Sequence, residues 1–198
     1  MSSIFLKTIK ERVSEWNKKR KLQHSIRASD AASRSLLKIG SYASAVCVET
    51  QAGPFLVDPS DQKIGRNLLQ FGQLNQREID LLSIFSSLPQ PNLLVVGAHI
   101  GTVALPVANL YNWVTLVEAN FKSAGLLRKN VALRELRNVE VIEAAASDSD
   151  GQIQFLMNRV NSGGSKRLPK VSDQAYVFDA EYTSVRSVRL DDVVDQFS

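Results

Sequence analysis

The run Leu93-Leu94-Val95-Val96 places four apolar residues together with no polar residue alternating among them. A strand with one face in water alternates apolar and polar side chains. An unbroken run predicts a strand covered on both faces, as in a parallel sheet whose crossover segments lie against it. The same character returns at Val114-Thr115-Leu116-Val117 and over Val139–Ile142. Between the first two runs, Val103, Leu105, Val107 and Leu110 predict a helix, with Pro106 in its first turn, where a missing N–H matters least. Between the second and third, Asn120 is a candidate cap for a helix bearing Leu126, Leu127, Val131 and Leu133, which Gly125 weakens somewhat. Strand-helix-strand-helix-strand is the opening of a doubly wound α/β sheet.

The rest of the chain is arranged around this unit. Phe5, Ile9, Val13 and Trp16 fall on one face of a helix predicted over residues 4–22, whose other face is basic and ends in Lys18-Lys19-Arg20-Lys21. That helix reads either as a membrane-surface or acidic-partner element, or as a docking helix with a solvated face. The second reading is preferred, because cations near a helix C-terminus also suit its dipole. A second helix is expected over residues 30–48, around Leu36, Leu37, Ile39 and Tyr42. Gln51-Ala52-Gly53-Pro54 marks a turn, Phe55-Leu56-Val57 a short strand, and Asp58-Pro59-Ser60-Asp61 its end. Gly65 to Gly72 fits a short helix. Asn75 followed by Glu78 resembles a capping box, with Ile79, Leu81, Leu82 and Phe85 lining the inner face of the helix it starts. Beyond the third strand, Ile153–Met157 and Ser184–Val188 have no useful helix between them and are expected to pair antiparallel. Leu190–Phe197 reads as the first turns of a helix. The expected divisions are a basic helical segment over 1–48, a short strand and helices over 49–90, and the sheet domain over 91–198.

Composition removes several classes of function. One cysteine, Cys47, and two histidines, His24 and His99, provide neither a disulfide framework nor a cysteine- or histidine-rich metal site. No apolar run reaches the roughly 18–20 residues of a membrane span. Ile4-Phe5-Leu6 is too short for a signal-peptide core, so the expected compartment is the cytoplasm. Residues 1–40 hold ten Lys/Arg and three Asp/Glu, a net of +7, while the remainder carries a net of −3. A slightly acidic body argues against a nucleic-acid-binding core.

Three features fall at the C-terminal ends of consecutive strands, where such sheets bind ligands. The first is the turn Gly97-Ala98-His99-Ile100-Gly101. Glycine there permits a sharp bend and close ligand approach, although glycines at such turns also serve packing alone. The second is Glu118, twenty-one residues after Gly97, where a carboxylate accepts from the hydroxyls of a ribose. The third is Ser147-Asp148, where the carboxylate accepts from an adenine amino group or serves only the turn chemistry of Ser-Asp-Ser-Asp-Gly. His99 stands where a dinucleotide site prefers its middle glycine. This disfavours a nicotinamide-dependent oxidoreductase and suits a cofactor with a carboxylate and no pyrophosphate.

In order along the chain, Val95-Val96-Gly97-Ala98-His99-Ile100-Gly101, Val117-Glu118-Ala119-Asn120, Arg128-Lys129-Asn130-Val131-Ala132-Leu133, Ala145-Ala146-Ser147-Asp148 with Gly151, Asn161 to Ser165, and Val188-Arg189-Leu190-Asp191-Asp192 resemble the FkbM family of methyltransferases. Gly53 through Gly72, with Asp61 and Ile64-Gly65, extends the resemblance to roughly residues 50–192. It implies a Rossmann-like class I methyltransferase fold, S-adenosylmethionine as cofactor, and O-methylation of a hydroxyl on a sugar or other small metabolite. Carried over, Gly97, Ala98, His99 and Gly101 flank the methionine part of the cofactor, Glu118 holds the ribose, and Ser147 and Asp148 sit by the adenine. No catalytic base is identified. Val95 stands where the family has Asp, His99 where it has Asn, and Ala119 where it has Pro. The family continues past Leu190-Asp191-Asp192 into a strand bearing Ile-Asp-Val-Glu-Gly, whereas this sequence closes on Gln196-Phe197-Ser198. The expectation is an incomplete sheet with an open edge along Leu93–Val96: a truncated product, a split gene, or a chain completed by a partner. The alternative to an active enzyme is a non-catalytic remnant of the cofactor-binding fold.

Overall fold

The computed structural model describes residues 42–61, 63–72, 74–158, 162–167 and 180–194, with residue 31 besides. The helix expected over 4–22, most of the one expected over 30–48, Asn161, and residues 195–198 lie outside the described residues. The elements are strands β1 (Val46–Thr50) and β2 (Gly53–Val57), helices α1 (Ile64–Phe71) and α2 (Gln76–Phe85), strand β3 (Asn92–Val96), a 3-10 helix (Leu105–Leu110), β4 (Trp113–Glu118), α3 (Phe121–Leu133), β5 (Val139–Glu143), β6 (Ala145–Ser147), β7 (Gly151–Asn158), β8 (Lys166–Arg167), β9 (Ala180–Arg189) and α4 (Leu190–Val194).

The chain is an α/β protein. β3, β4 and β5 form a parallel sheet with β4 at its centre. In register, Leu93, Val114 and Val139 share one face with Val95, Leu116 and Val141, and Leu94 and Thr115 share the other with Val96, Val117 and Ile142. The first face sits on the main core with Ile100, Leu105, Val107, Ala108, Leu126, Leu127 and Phe55. On the second, Leu94, Val117 and Ile142 meet a smaller cluster of Ala144, Val188 and Val193. β4 is therefore buried on both faces, as its apolar run predicts. β3 is not: Val96 is 49% exposed, because among the described residues β3 pairs only with β4 and its second face is thinly covered.

The second half forms a sheet of order β6-β9-β7-β8. β7 and β9 pair antiparallel from Gly151↔Ser187 to Asn158↔Ala180, as expected, and β6 runs parallel to β9.

Four local expectations are corrected. Residues 46–48 are strand, not helix: Val46-Cys47-Val48 alternates β-branched residues and pairs with β2 through the Gln51-Ala52 turn. α2 does begin after Asn75, but Asn75 lies at φ 60 with no side-chain cap, and its Oδ1 instead faces the Thr102 hydroxyl at 3.5 Å. On α2, Ile79 and Leu82 pack inward, whereas Leu81 and Phe85 are 52% and 49% exposed, since a single layer covers only part of the helix. The helix expected after Gly101 is only the 3-10 segment Leu105–Leu110.

Asn130 joins the layers. It is fully buried on α3, accepts from Leu56 N–H at 2.6 Å, and donates to Leu56 O at 3.1 Å and Ile100 O at 3.0 Å. One amide thus ties the β1–β2 hairpin and the glycine turn to the same helix.

Candidate functional site

The turn after β3 is bent by three residues at positive φ: Gly97 (77), His99 (54) and Gly101 (91). Gly101 has no alternative. A Cβ there would lie 2.5 Å from Leu105 and 2.8 Å from Leu127. Gly97 differs, because a Cβ would meet nothing within 4 Å and would project into open space. Gly97 and Ala98 donate their N–H groups to Val117 O at 2.8 and 3.1 Å, which fixes the turn to the tip of β4.

Glu118 completes the bend. It is 7% exposed, and its two oxygens accept from His99 N–H at 2.7 Å and Asn120 N–H at 2.8 Å. The side chain therefore holds a non-glycine residue in the left-handed region, where an L-residue is strained. Each carboxylate oxygen keeps a further acceptor site. Asn120 caps α3 through Oδ1, accepting from Lys122 and Ser123 N–H, and donates from Nδ2 to Ser165 Oγ at 3.2 Å.

Across from this wall lies the loop at residues 162–165. Ser162 donates its hydroxyl to Asp61 Oδ2 and meets His99 Nε2 at 2.5 Å. With the serine hydroxyl hydrogen pointed at the aspartate, the serine oxygen accepts and Nε2 carries the imidazole hydrogen. Nδ1 is then a buried acceptor that finds no partner among the described residues. Asp61 is 5% exposed, and its other oxygen accepts from Lys63 and Ile64 N–H at 2.8 and 2.7 Å, at the start of α1. Burial pushes the His99 imidazole below its usual pKa, opposed by the nearby Asp61 and Glu118 carboxylates. His99 is therefore neutral near pH 7.

Between wall and loop is a cleft of about 240 Å³, bordered by Gly97, His99, Glu118, Ala144–Ala146, Phe155 and the loop serines. Of the residues singled out from the sequence, Gly97, His99 and Glu118 come together there. Ala98 and Gly101 are buried in the turn beside it. Ser147 and Asp148 are off its lining. Asp148 is exposed, and its Oδ1 accepts from the Ser147 and Ser149 hydroxyls at 3.1 Å each. Asp61, Asn120, Ser162 and Ser165 carry the site without having been assigned a role in it. Their residues figure in the ordered matches, but no spacing joins Asp61 to a serine 101 positions away. Among the described residues, no cluster of His, Cys, Asp or Glu is arranged to hold a metal ion, and no helix is long and apolar enough to cross a membrane.

No family model and no curated protein matches the chain. Solved structures similar to it include a SAM-dependent methyltransferase from Agrobacterium tumefaciens, at 17% identity and TM-score 0.40 over 50% of this chain and 32% of that one. They also include the tRNA m1G37 methyltransferase of M. jannaschii, at 13% identity and TM-score 0.39 over 52% and 29%. The chain spans about a third of the length of these structures.

Proposed function

We propose that the cleft binds S-adenosylmethionine and that the chain serves methyl transfer to a hydroxyl of a sugar or other small metabolite, as its resemblance to the FkbM family implies. The observation that carries the reading is Glu118: a buried carboxylate at the tip of the central parallel strand, on the cleft lining, with an acceptor site left on each oxygen for a ribose hydroxyl. The open space at Gly97 supports it, since a side chain there would stand in the ligand's path. Ala144–Ala146 and Phe155 offer a mainly apolar wall to a flat base. At about 240 Å³ the cleft is smaller than the usual ~300–1,000 Å³ small-molecule pocket, which suits the nucleoside alone, with the amino-acid end along the glycine turn. Ser147 and Asp148 are assigned to the rim beside the base.

When bound, the cofactor supplies an electrophilic methyl group. The chain's part is to hold it and exclude water, which the loop serines and the Glu118 wall are placed to do. The neutral His99, whose ring stands where the middle glycine of a dinucleotide site would be, counts against a pyrophosphate. Among the described residues β3 pairs only with β4, which leaves room on its other side for a strand from a partner chain.

Calorimetric titration with S-adenosylhomocysteine, methylthioadenosine and NADH tests the reading. Binding of the first two and not the third is expected. No heat with either adenosine ligand overturns it, and binding of NADH alone replaces it with the oxidoreductase reading.

A further inference from the structure

A second cavity lies on the other face of the parallel sheet. It holds about 320 Å³, within the ~300–1,000 Å³ of small-molecule sites. Its body is apolar, formed by Phe55 of β2, Leu68 of α1 and Ile79 of α2, which pack in the main core with Leu93 and Val95. The cleft proposed for the cofactor is lined instead by Val96, Val117 and Ala144, on the opposite face. A molecule in the second cavity is therefore separate from the nucleoside.

We propose that this cavity binds an uncharged small molecule with an apolar body and a carboxamide end. Three polar residues border it: Gln51 in the β1–β2 turn, Gln76 at the start of α2, and Thr102 directly after the glycine turn. Thr102 is buried, yet the one hydrogen bond of its hydroxyl among the described residues goes to Asn75 Oδ1 at 3.5 Å, the outer limit of such a bond. Asn75 in turn gives the start of α2 no side-chain cap, so the first N–H groups of that helix keep room for an acceptor. Gln76 donates its Nε2 to Asp80 and retains Oε1 as an acceptor. A carbonyl oxygen beside an NH2 group answers both needs. Charge selects against an ion. Among the described residues no charged side chain lines the cavity, so neither a carboxylate nor an ammonium group finds a counterion there. Glu78, in the first turn of α2, also repels an anion.

Backbone amide chemical shifts of the full chain, titrated with 3-phenylpropionamide and with its isosteric anion 3-phenylpropionate, test the proposal. Saturable shifts at Gln51, Gln76, Ile79 and Thr102 are expected with the amide, at a dissociation constant on the order of 1 mM. The anion should bind about tenfold more weakly or worse. Ala52→Trp, which sets a large side chain on the border of the cavity, should abolish the shifts. Thr102→Val keeps the shape and removes the hydroxyl, and should weaken the amide about fivefold. Absence of saturable shifts overturns the proposal, as does equal binding of the anion. So do shifts confined to the exposed Leu81 and Ile84 or to the cleft at Gly97 and Glu118, and so does an affinity that neither substitution changes. The S-adenosylhomocysteine titration reports on the opposite face, so one site can fail while the other holds.

Discussion

Glu118 and Asp148 follow the tips of strands in the two sheets, yet they lead different lives. Glu118 ends the central strand of the parallel sheet, is largely buried on the cleft lining, and spends one acceptor site of each oxygen on a backbone N–H. Asp148 follows β6, which among the described residues pairs only with β9, and lies at an exposed turn where its oxygen accepts from serine hydroxyls. Burial makes the first carboxylate a rigid part of the site. The second is exposed, and its oxygen accepts from neighbouring serine hydroxyls. The difference is between a wall whose polar groups have no water to fall back on and a rim that has plenty.

The wall is the place to break this comparison. The largest effect is expected from Asn130→Ala, which leaves the polar backbone groups of Leu56 and Ile100 without their buried partner. It should cost about 3 kcal/mol in urea unfolding and loosen the glycine turn. A cost below about 1 kcal/mol would mean that water replaces the amide and that the wall is less dry than its burial implies.

Glu118→Gln comes next. An amide cannot accept on both sides, so one of the His99 and Asn120 N–H groups loses its charge-assisted bond. S-adenosylhomocysteine affinity should fall by about 100-fold in calorimetry. His99 gives a smaller, pH-dependent effect. Its imidazole is held below the ordinary pKa of 6.5, so below that pH the unfolded chain takes up a proton that the folded chain refuses. The stability it contributes is present above 6.5 and is lost as pH falls through the folded-state value, by at most about 1.4 kcal/mol per unit. Urea midpoints at a series of pH values should fall more steeply for the parent than for His99→Gln, and parallel curves would refute the assignment. Asp148→Ala is the smallest change, about twofold or less in affinity and within about 0.5 kcal/mol in stability, as for an exposed site. An effect as large as that of Glu118→Gln would erase the contrast between wall and rim.

Much of the architecture was legible in the residues. The parallel strands, the Asn120 cap and the antiparallel pairing of β7 with β9 follow from local pattern. Apolar runs, a capping side chain and the lack of a crossover helix are properties of neighbouring residues. β1 departs from the expected helix because Val46-Cys47-Val48 is a β-branched alternation that pairs with β2. The outward turn of Leu81 and Phe85 was hidden because a stripe says that a helix has an apolar face, not how much of it a neighbour covers.

The sequence by itself determined the order of strand tips and put glycines and an acid on two of them, since those choices answer to backbone conformation within a few residues. Only the tertiary structure decided that Glu118 grips the His99 N–H, that Asp61 reaches His99 through a serine 101 residues on, and that Asp148 stays in the solvent. The reason is physical. Burial and long-range hydrogen bonding depend on what the fold brings alongside a residue, and nothing in that residue's own surroundings along the chain records it.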